Sequence, residues 1–482
     1  MTYRSLHCSL RNLTRHLRAL AIGILLSATA IVSSLAYVVP ISAAGAIHCV
    51  ASTGGTTTAP CVNSTAYTTI QAAVTAASNS DEIRIAHGTY TATDEYVVSI
   101  IDKSLTLRGG YASSNWQSPS FPGTTIIDGQ TVRPGVLVFG NSTVTLERLT
   151  ITRGQNGNGG GIEANLAGGL TLTLIDMVIS KNVSTGSGGG LFVVGGPTVM
   201  SRTQVLDNTA GEDGGGFYGL RLIATNSSVN RNTAGRNAGG IDVPYASIEN
   251  AQIANNTASS GVGGGMYFDQ AQIGGTLTMT RTRMLDNHAG GRGGALYLGS
   301  MSRTHIAWSL LANNQASDGD AFVVDPSSLA PSNISLTNVT VASASLSPHA
   351  AIQLSSGPMS LNLTNTVVTS HTIGIERVSS ANLSGNYNAF FNNGTNQVVD
   401  GSSMALPFTH LLTTDPQFDE PGAGNFHLRN TSPLRDAGNP SLSYVNQQDL
   451  DGTQVPIGLR TDIGAYEYIL RSHRIYLPLC IR

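Results

Sequence analysis

The sequence predicts an all-β solenoid, and three observations carry that prediction. A glycine signal recurs down the middle of the chain, with its third positions at 161, 190, 216, 240, 265 and 295, at steps of 29, 26, 24, 25 and 30 residues. An asparagine closing an apolar run keeps pace with it, at Asn182, Asn208, Asn232, Asn256, Asn287 and Asn314. The residues after each glycine group alternate in polarity with a period of two. Self-similarity in the twenties marks repeats that bury their apolar faces only by stacking on neighbours.

Composition agrees with an elongated β-rich body. The 482 residues include 55 Gly and only 11% charged and 6% aromatic side chains. That charge content is low for a globular protein, so solubility rests on Ser, Thr, Asn and Gln.

The first 44 residues hold Arg4, Arg11, Arg15 and Arg18 and no acid, then an apolar run from Ala19 to Val39, ending near Ser42, Ala43 and Ala44. This is the three-part pattern of an export signal. An uncleaved membrane anchor is the rival reading, because the run approaches spanning length. Without this segment, 22 basic side chains face 29 acidic ones. An acidic surface without a basic patch argues against nucleic acid as a partner. Cys49 and Cys61 would close a short loop as a disulfide in an oxidising compartment. No Cys/His grouping has zinc spacing, and the sequence calls for no cofactor.

Ile70, Ala73, Val74 and Ala77 fall at i, i+3, i+4 and i+7, which predicts a short helix covering the first coil. Ile83 and Ile85 then alternate as a strand. This segment, with Gly88-Thr89-Tyr90 closing it, resembles the opening of right-handed parallel β-helix proteins of the pectin-lyase-like group. Ser104–Tyr111 and Val144–Ile151 resemble that group's early coils. The glycine and asparagine alternation over 150–316 is similar to the repeats of chlamydial polymorphic outer-membrane proteins, with aliphatic residues in place of that family's aromatic. Asp415–Phe418, Gly424–Leu428, Ser432–Gly438, Asp449–Gly452 and Asp462–Glu467 occur in the order seen in the choice-of-anchor Q domain of bacterial surface proteins. Together these resemblances imply a right-handed single-stranded parallel β-helix with an N-terminal capping helix and a β-rich C-terminal cap. They imply no particular reaction. The expected organisation is an export signal over 1–44, a cap and first coils over 45–115, repeats over 116–400, the anchor-like domain over 401–470 and a tail over 471–482. The tail resembles terminal tags of some exported bacterial proteins, and a final strand or a frayed tail is the alternative.

Alternation assigns directions to side chains. Ile162, Leu191, Phe217, Ile241, Met266 and Leu296 follow the glycines and are uniformly apolar, hence inward. Glu163, Phe192, Tyr218, Asp242, Tyr267 and Tyr297 come next and must point outward. This row is the candidate binding stripe, with the rings placed to stack on sugars or on a partner surface. Cross-coil packing of the rings is the plainer alternative. The asparagines are expected to form a ladder along the axis, using their tolerance of left-handed backbone to turn the chain. Asp449 and Asp451 beside Gly452 are a weak hard-cation candidate, with a turn capped by aspartates the stronger reading.

No catalytic constellation emerges. Glu163 and Asp242 lie three coils apart, roughly 14 Å at the spacing of parallel strands. Hydrolytic carboxylate pairs sit about 5–9.5 Å apart. No clear cluster of acids with a base is visible over 150–320. The expected role is therefore a non-catalytic surface or extracellular module that binds a polysaccharide or a cell-surface protein. A polysaccharide lyase or hydrolase acting on acidic glycans and a purely structural stalk are the alternatives.

Overall fold

The computed structural model describes residues 45–119, 124–268, 275–299, 303–326, 332–355, 357–444 and 446–469. The expected export signal and the tail with Cys480 lie outside the described residues.

The chain winds into a right-handed parallel β-helix of about twelve turns. Each turn contributes strands to three long faces. Face I runs from Val98–Ile101 through Val136–Gly140 and Ile162–Leu166 to Thr395–Val399. Face II starts at Ile47–Val50 and Glu82–Ala86, and face III at Gly88–Tyr90 and Thr125–Asp128. A fourth, narrow sheet of six two-residue strands, from Gln155–Asn156 to His288–Ala289, lies between faces III and I.

The period-two reading holds along face I. Ile162, Leu191, Phe217, Met266 and Leu296 are completely buried, and Ile241 nearly so. Burying each such side chain contributes about 1.5–3 kcal/mol, and only stacked coils can bury them all.

The glycine groups make the corner before face I. In the group 188–190, Gly188 has φ +67°, which a side chain would strain. A Cβ on Gly189 would lie 2.5 Å from the Gly215 carbonyl oxygen, and one on Gly190 would lie 3.0 Å from Asn208 Nδ2. The first glycine is therefore needed for conformation, and the other two for close approach of the next coil.

The six asparagines form a buried ladder. Each Oδ1 from Asn208 to Asn314 accepts both the backbone N–H and the side-chain N–H of the asparagine one coil earlier, at 2.9–3.1 Å. One expectation is corrected. The left-handed backbone belongs to the preceding residue, such as Lys181, Asp207 and Arg231 at φ 57°, 57° and 54°. That residue turns the chain outward, so the asparagine can point inward with ordinary backbone and bond to the next rung.

Helix α1 (Ile70–Ala76) buries Ile70, Ala73 and Val74, and the Thr69 hydroxyl caps its start by accepting from the Ala72 N–H at 3.2 Å. Lys103 Nζ caps its end, donating to the carbonyls of Val74, Thr75 and Ala77 at 2.8, 2.9 and 2.8 Å. Cys49 and Cys61 are joined as a disulfide.

The C-terminal segment has few strands. Thr409–Leu412 pairs with the last coil, and Phe418–Glu420 pairs with Asn425–Leu428. The rest folds back along face III. Phe418, Phe426, Leu434, Leu450 and Ile463 share a core with Leu310, Ala342, Val367 and Ala389. Leu310 and Val367 thus lie under this segment. A buried polar seam ties it on: Tyr444 O–H donates to Asn338 Oδ1 at 2.9 Å, and Asn365 Nδ2 donates to Tyr444 Oη at 2.7 Å.

Candidate functional site

Strand register brings the predicted outward residues into one row across face I. Glu163 lies beside Phe192, Phe192 beside Tyr218, Tyr218 beside Asp242, Asp242 beside Tyr267, and Tyr267 beside Tyr297. All six are partly exposed. The row continues through Val323, Gln353 and Glu376.

The rings form two stacked pairs. Phe192 and Tyr218 lie 5.1 Å apart with planes 4° from parallel, and Tyr267 and Tyr297 lie 5.5 Å apart at 20°. Asp242 stands between the pairs. Each pair contributes about 0.5–1.5 kcal/mol beyond its burial, so the stack both stabilises the face and keeps the rings upright. Burial, then the charges of Asp242 and Asp213, push the Tyr218 hydroxyl up. It therefore remains a hydrogen-bond donor through the neutral range.

The carboxylate of Glu163 is already engaged. Its Oε2 accepts from Tyr96 Oη at 2.8 Å and from Asn156 Nδ2 at 2.7 Å. Burial first, then that bond, push the Tyr96 hydroxyl up to about 12. Glu163 anchors this end of the row more than it offers a free charge.

The opposite end is more polar than the sequence suggested. Tyr297 O–H donates to Asp325 Oδ2 at 3.1 Å, and Arg292 pairs with the same carboxylate. Arg292 Nη1 also donates to Ser355 Oγ at 2.8 Å, and its guanidinium carbon lies 5.8 Å from the Tyr297 ring centre. One coil on, Gln353 Nε2 donates to Asp318 and lies 3.5 Å from Glu376 Oε2. Burial, then the Asp318 charge, raise the Glu376 carboxyl above its ordinary range. Sequence reading missed this cluster of acids with a base, because the seventh glycine corner is disguised as Gly319-Asp320-Ala321-Phe322. Recognising that corner would have placed Asp318 and Val323 in register with Arg292 and Tyr297.

The other candidates are structural in this geometry. The Asp449 carboxylate caps its own turn, accepting from the N–H groups of Asp451, Thr453 and Glu467 at 3.0, 2.7 and 2.9 Å. Asp451 pairs with Arg283 at 2.5 Å and with His427 Nε2 at 2.7 Å, fastening the C-terminal segment to face III. Among the described residues, no group of three His, Cys, Asp or Glu side chains is placed to hold a metal ion.

A family model described as a right-handed beta helix region matches residues 134–315. Among solved structures, the chain is similar to the crystal structure of pectate lyase Pel9A at 15% identity, covering 88% of this chain and 96% of that one, with a TM-score of 0.42. It is also similar to the catalytic unit of a thermostable GH87 alpha-1,3-glucanase from Streptomyces thermodiastaticus strain HF3-3, at 14% identity, 71% and 64% coverage and a TM-score of 0.35. No curated protein matches the chain in sequence.

Proposed function

We propose that this is an exported surface or extracellular module whose face I binds glycans without cleaving them. The observation that supports this reading is the partly exposed row of two stacked aromatic pairs, Phe192–Tyr218 and Tyr267–Tyr297. Aromatic side chains offer a large apolar body with a polar tip, which suits sugar rings that have one apolar face and hydroxyl rims. Export rests on the N-terminal arginines and the apolar run from Ala19 to Val39. Attachment to an envelope rests on the resemblance of the repeats to polymorphic outer-membrane proteins and of the C-terminal motifs to the choice-of-anchor domain.

Affinity electrophoresis in gels cast with neutral and acidic polysaccharides tests the binding reading. Retarded migration without clearing, relieved by Tyr218→Ala with Tyr267→Ala, is the expected result. Unchanged migration in every gel would leave a protein-binding surface or a stalk.

One observation favours a hydrolase as the second reading. Asp318 and Glu376 both approach Gln353 Nε2, which brings the two carboxylates to the same side chain. Hydrolytic pairs sit about 5–9.5 Å apart, so these two are close enough to be tested as one. The raised Glu376 carboxyl has the character of a general acid, with the Asp318 carboxylate beside it as the second group. Release of reducing ends from a polysaccharide, abolished by Glu376→Gln, would replace the binding reading with this one.

A further inference from the structure

The seventh glycine corner differs from the others in three coordinated ways. Register sets Gly319-Asp320-Ala321-Phe322 against Gly293-Gly294-Ala295-Leu296. Asp320 therefore takes the second glycine's place, held by Gly160, Gly189, Gly215, Gly239, Gly264 and Gly294 in the earlier coils. A side chain is normally excluded there. A Cβ on Gly294 would lie 2.5 Å from the Asp320 carbonyl oxygen and 2.7 Å from the Gln315 backbone nitrogen, because the next coil's chain runs close by.

Beyond Asp320 that obstruction ends. The narrow sheet makes its last pairing between His288 and Gln315. Within the long strand Ser332–Leu354, residues 344–346 are exposed, and the register with the following coil shifts between Ala342 and Ser347 and again between Ser347 and Ala350, as in a bulge. The asparagine ladder stops as well, because Ala312 pairs with Ala342 and so sets Ala344 opposite Asn314. A seventh rung is missing where the side chain of Asp320 has gained its room.

The result is a cavity of about 580 Å³, lined among others by Asp286, His288, Asn313, Gln315, Asp320 and His349. Asp320, at its floor, is 1% exposed. Its carboxylate accepts from the Ala316 N–H at 3.0 Å and from the Ser347 hydroxyl, and lies 3.4 Å from His349 Nδ1. His371, also buried, is in register with Ser347 and hydrogen-bonds to the Thr369 carbonyl through Nδ1 at 2.8 Å. Burial lowers its pKa, so the ring is neutral and Nδ1 is its donor.

A buried carboxylate is costly without such partners, and simple decay of the repeat would not install one with its partners in place. Among the described residues, the lining has no Lys or Arg to hold an anion and no Phe, Tyr or Trp to stack on a flat base. It offers carboxylate, amide, imidazole and hydroxyl groups within the 300–1,000 Å³ usual for small-ligand sites. We propose that this cavity is a binding site for a neutral saccharide of one or two rings, with Asn313, Gln315 and His349 bonding its hydroxyls. Asp320 is the positioning residue, holding His349 and the bulge at Ser347. The site is independent of the face I reading.

Saturation-transfer NMR of the whole protein with neutral mono- and disaccharides, and glucuronate as the charged control, tests this. Transfer to at least one neutral sugar is expected, with none to glucuronate. Ser345→Trp, which fills the cavity from the exposed bulge, should abolish transfer. Asp320→Asn should weaken it about tenfold, the loss of one charge-assisted hydrogen bond. All of these measurements are made in a Phe192→Ala, Tyr218→Ala, Tyr267→Ala, Tyr297→Ala background, which removes the face I stack, so the transfer that remains reads the cavity. Absence of transfer from every neutral sugar, preference for glucuronate, or full transfer in both cavity variants while their melting stays cooperative would overturn the proposal.

Discussion

Asn232 Oδ1 accepts two hydrogen bonds from Asn208, one from its side-chain Nδ2 at 2.9 Å and one from its backbone N–H at 3.0 Å. Asn232 Nδ2 in turn donates to Asn256 Oδ1 and to the Val205 carbonyl, both at 3.0 Å. All three asparagines are buried, so water cannot replace a lost partner without opening the coil. Asn232→Ala strands two donors on Asn208, each costing about 1–3 kcal/mol, and a loss near 3 kcal/mol is expected in chemical denaturation. Asn314→Ala should cost about 1 kcal/mol, because the rung there borders the polar cavity and water can replace it. Equal and small losses at both sites would show the ladder to be dispensable.

Close approach at the corners predicts a steep contrast among glycines. A Cβ on Gly215 would lie 2.4 Å from the Gly239 carbonyl oxygen and 2.5 Å from that of Thr233, while one on Gly157 would meet nothing within 4 Å. Backbone on both sides leaves Gly215 no flexible neighbour to give way. Gly215→Ala should cost about 3 kcal/mol, the upper part of the overpacking range, and Gly157→Ala should stay within about 0.5 kcal/mol of the parent. Thermal melts of the two variants compare them directly, and similar midpoints would count against this account of the corner.

The fold was legible because one rule repeats. Glycine spacing, the asparagine rungs and period-two alternation all report the same coil, so the inward place of Leu191 and the outward place of Tyr218 followed from local sequence alone. What stayed hidden depends on contacts distant in the chain. Leu310 and Val367 look like misplaced outward residues until the C-terminal segment is seen lying over them. Trp308 takes left-handed backbone at φ 48°, at the corner where Asn226 and Asn250 do the same, and donates from Nε1 to Gln447, 139 residues away, at 3.1 Å. Asp318 and Glu376 belong to coils where the glycine motif has already changed, so no periodic signal drew attention to their shared contact with Gln353. The candidate row on face I was readable. The engagement of Glu163 by Tyr96, from a coil two turns earlier, was not.

Fastening of the C-terminal segment should depend on pH through two buried carboxyls. Burial, then the Asp462 charge, push Glu467 up to about 7, and burial is also the main cause that pushes Asp462 up to about 6. Both values lie above those of an unfolded chain, so the folded segment holds these protons more tightly. Their contribution is fully present below about pH 4 and is lost as pH rises through 6 to 7. His305 and His371 act the other way, because burial lowers their pKa and folding must keep them neutral. That opposing contribution is present above the unfolded histidine value and is lost as pH falls. The comparison of variants separates the two effects. Relative to the parent, Asp462→Asn with Glu467→Gln should gain stability on going from pH 5 to pH 8. Limited proteolysis between residues 415 and 469 at the two pH values reads this locally. The parent segment should be cut faster at pH 8 than the double variant, and the difference should shrink at pH 5. Equal protection of parent and variant at pH 8 would mean that neither proton matters to the docking.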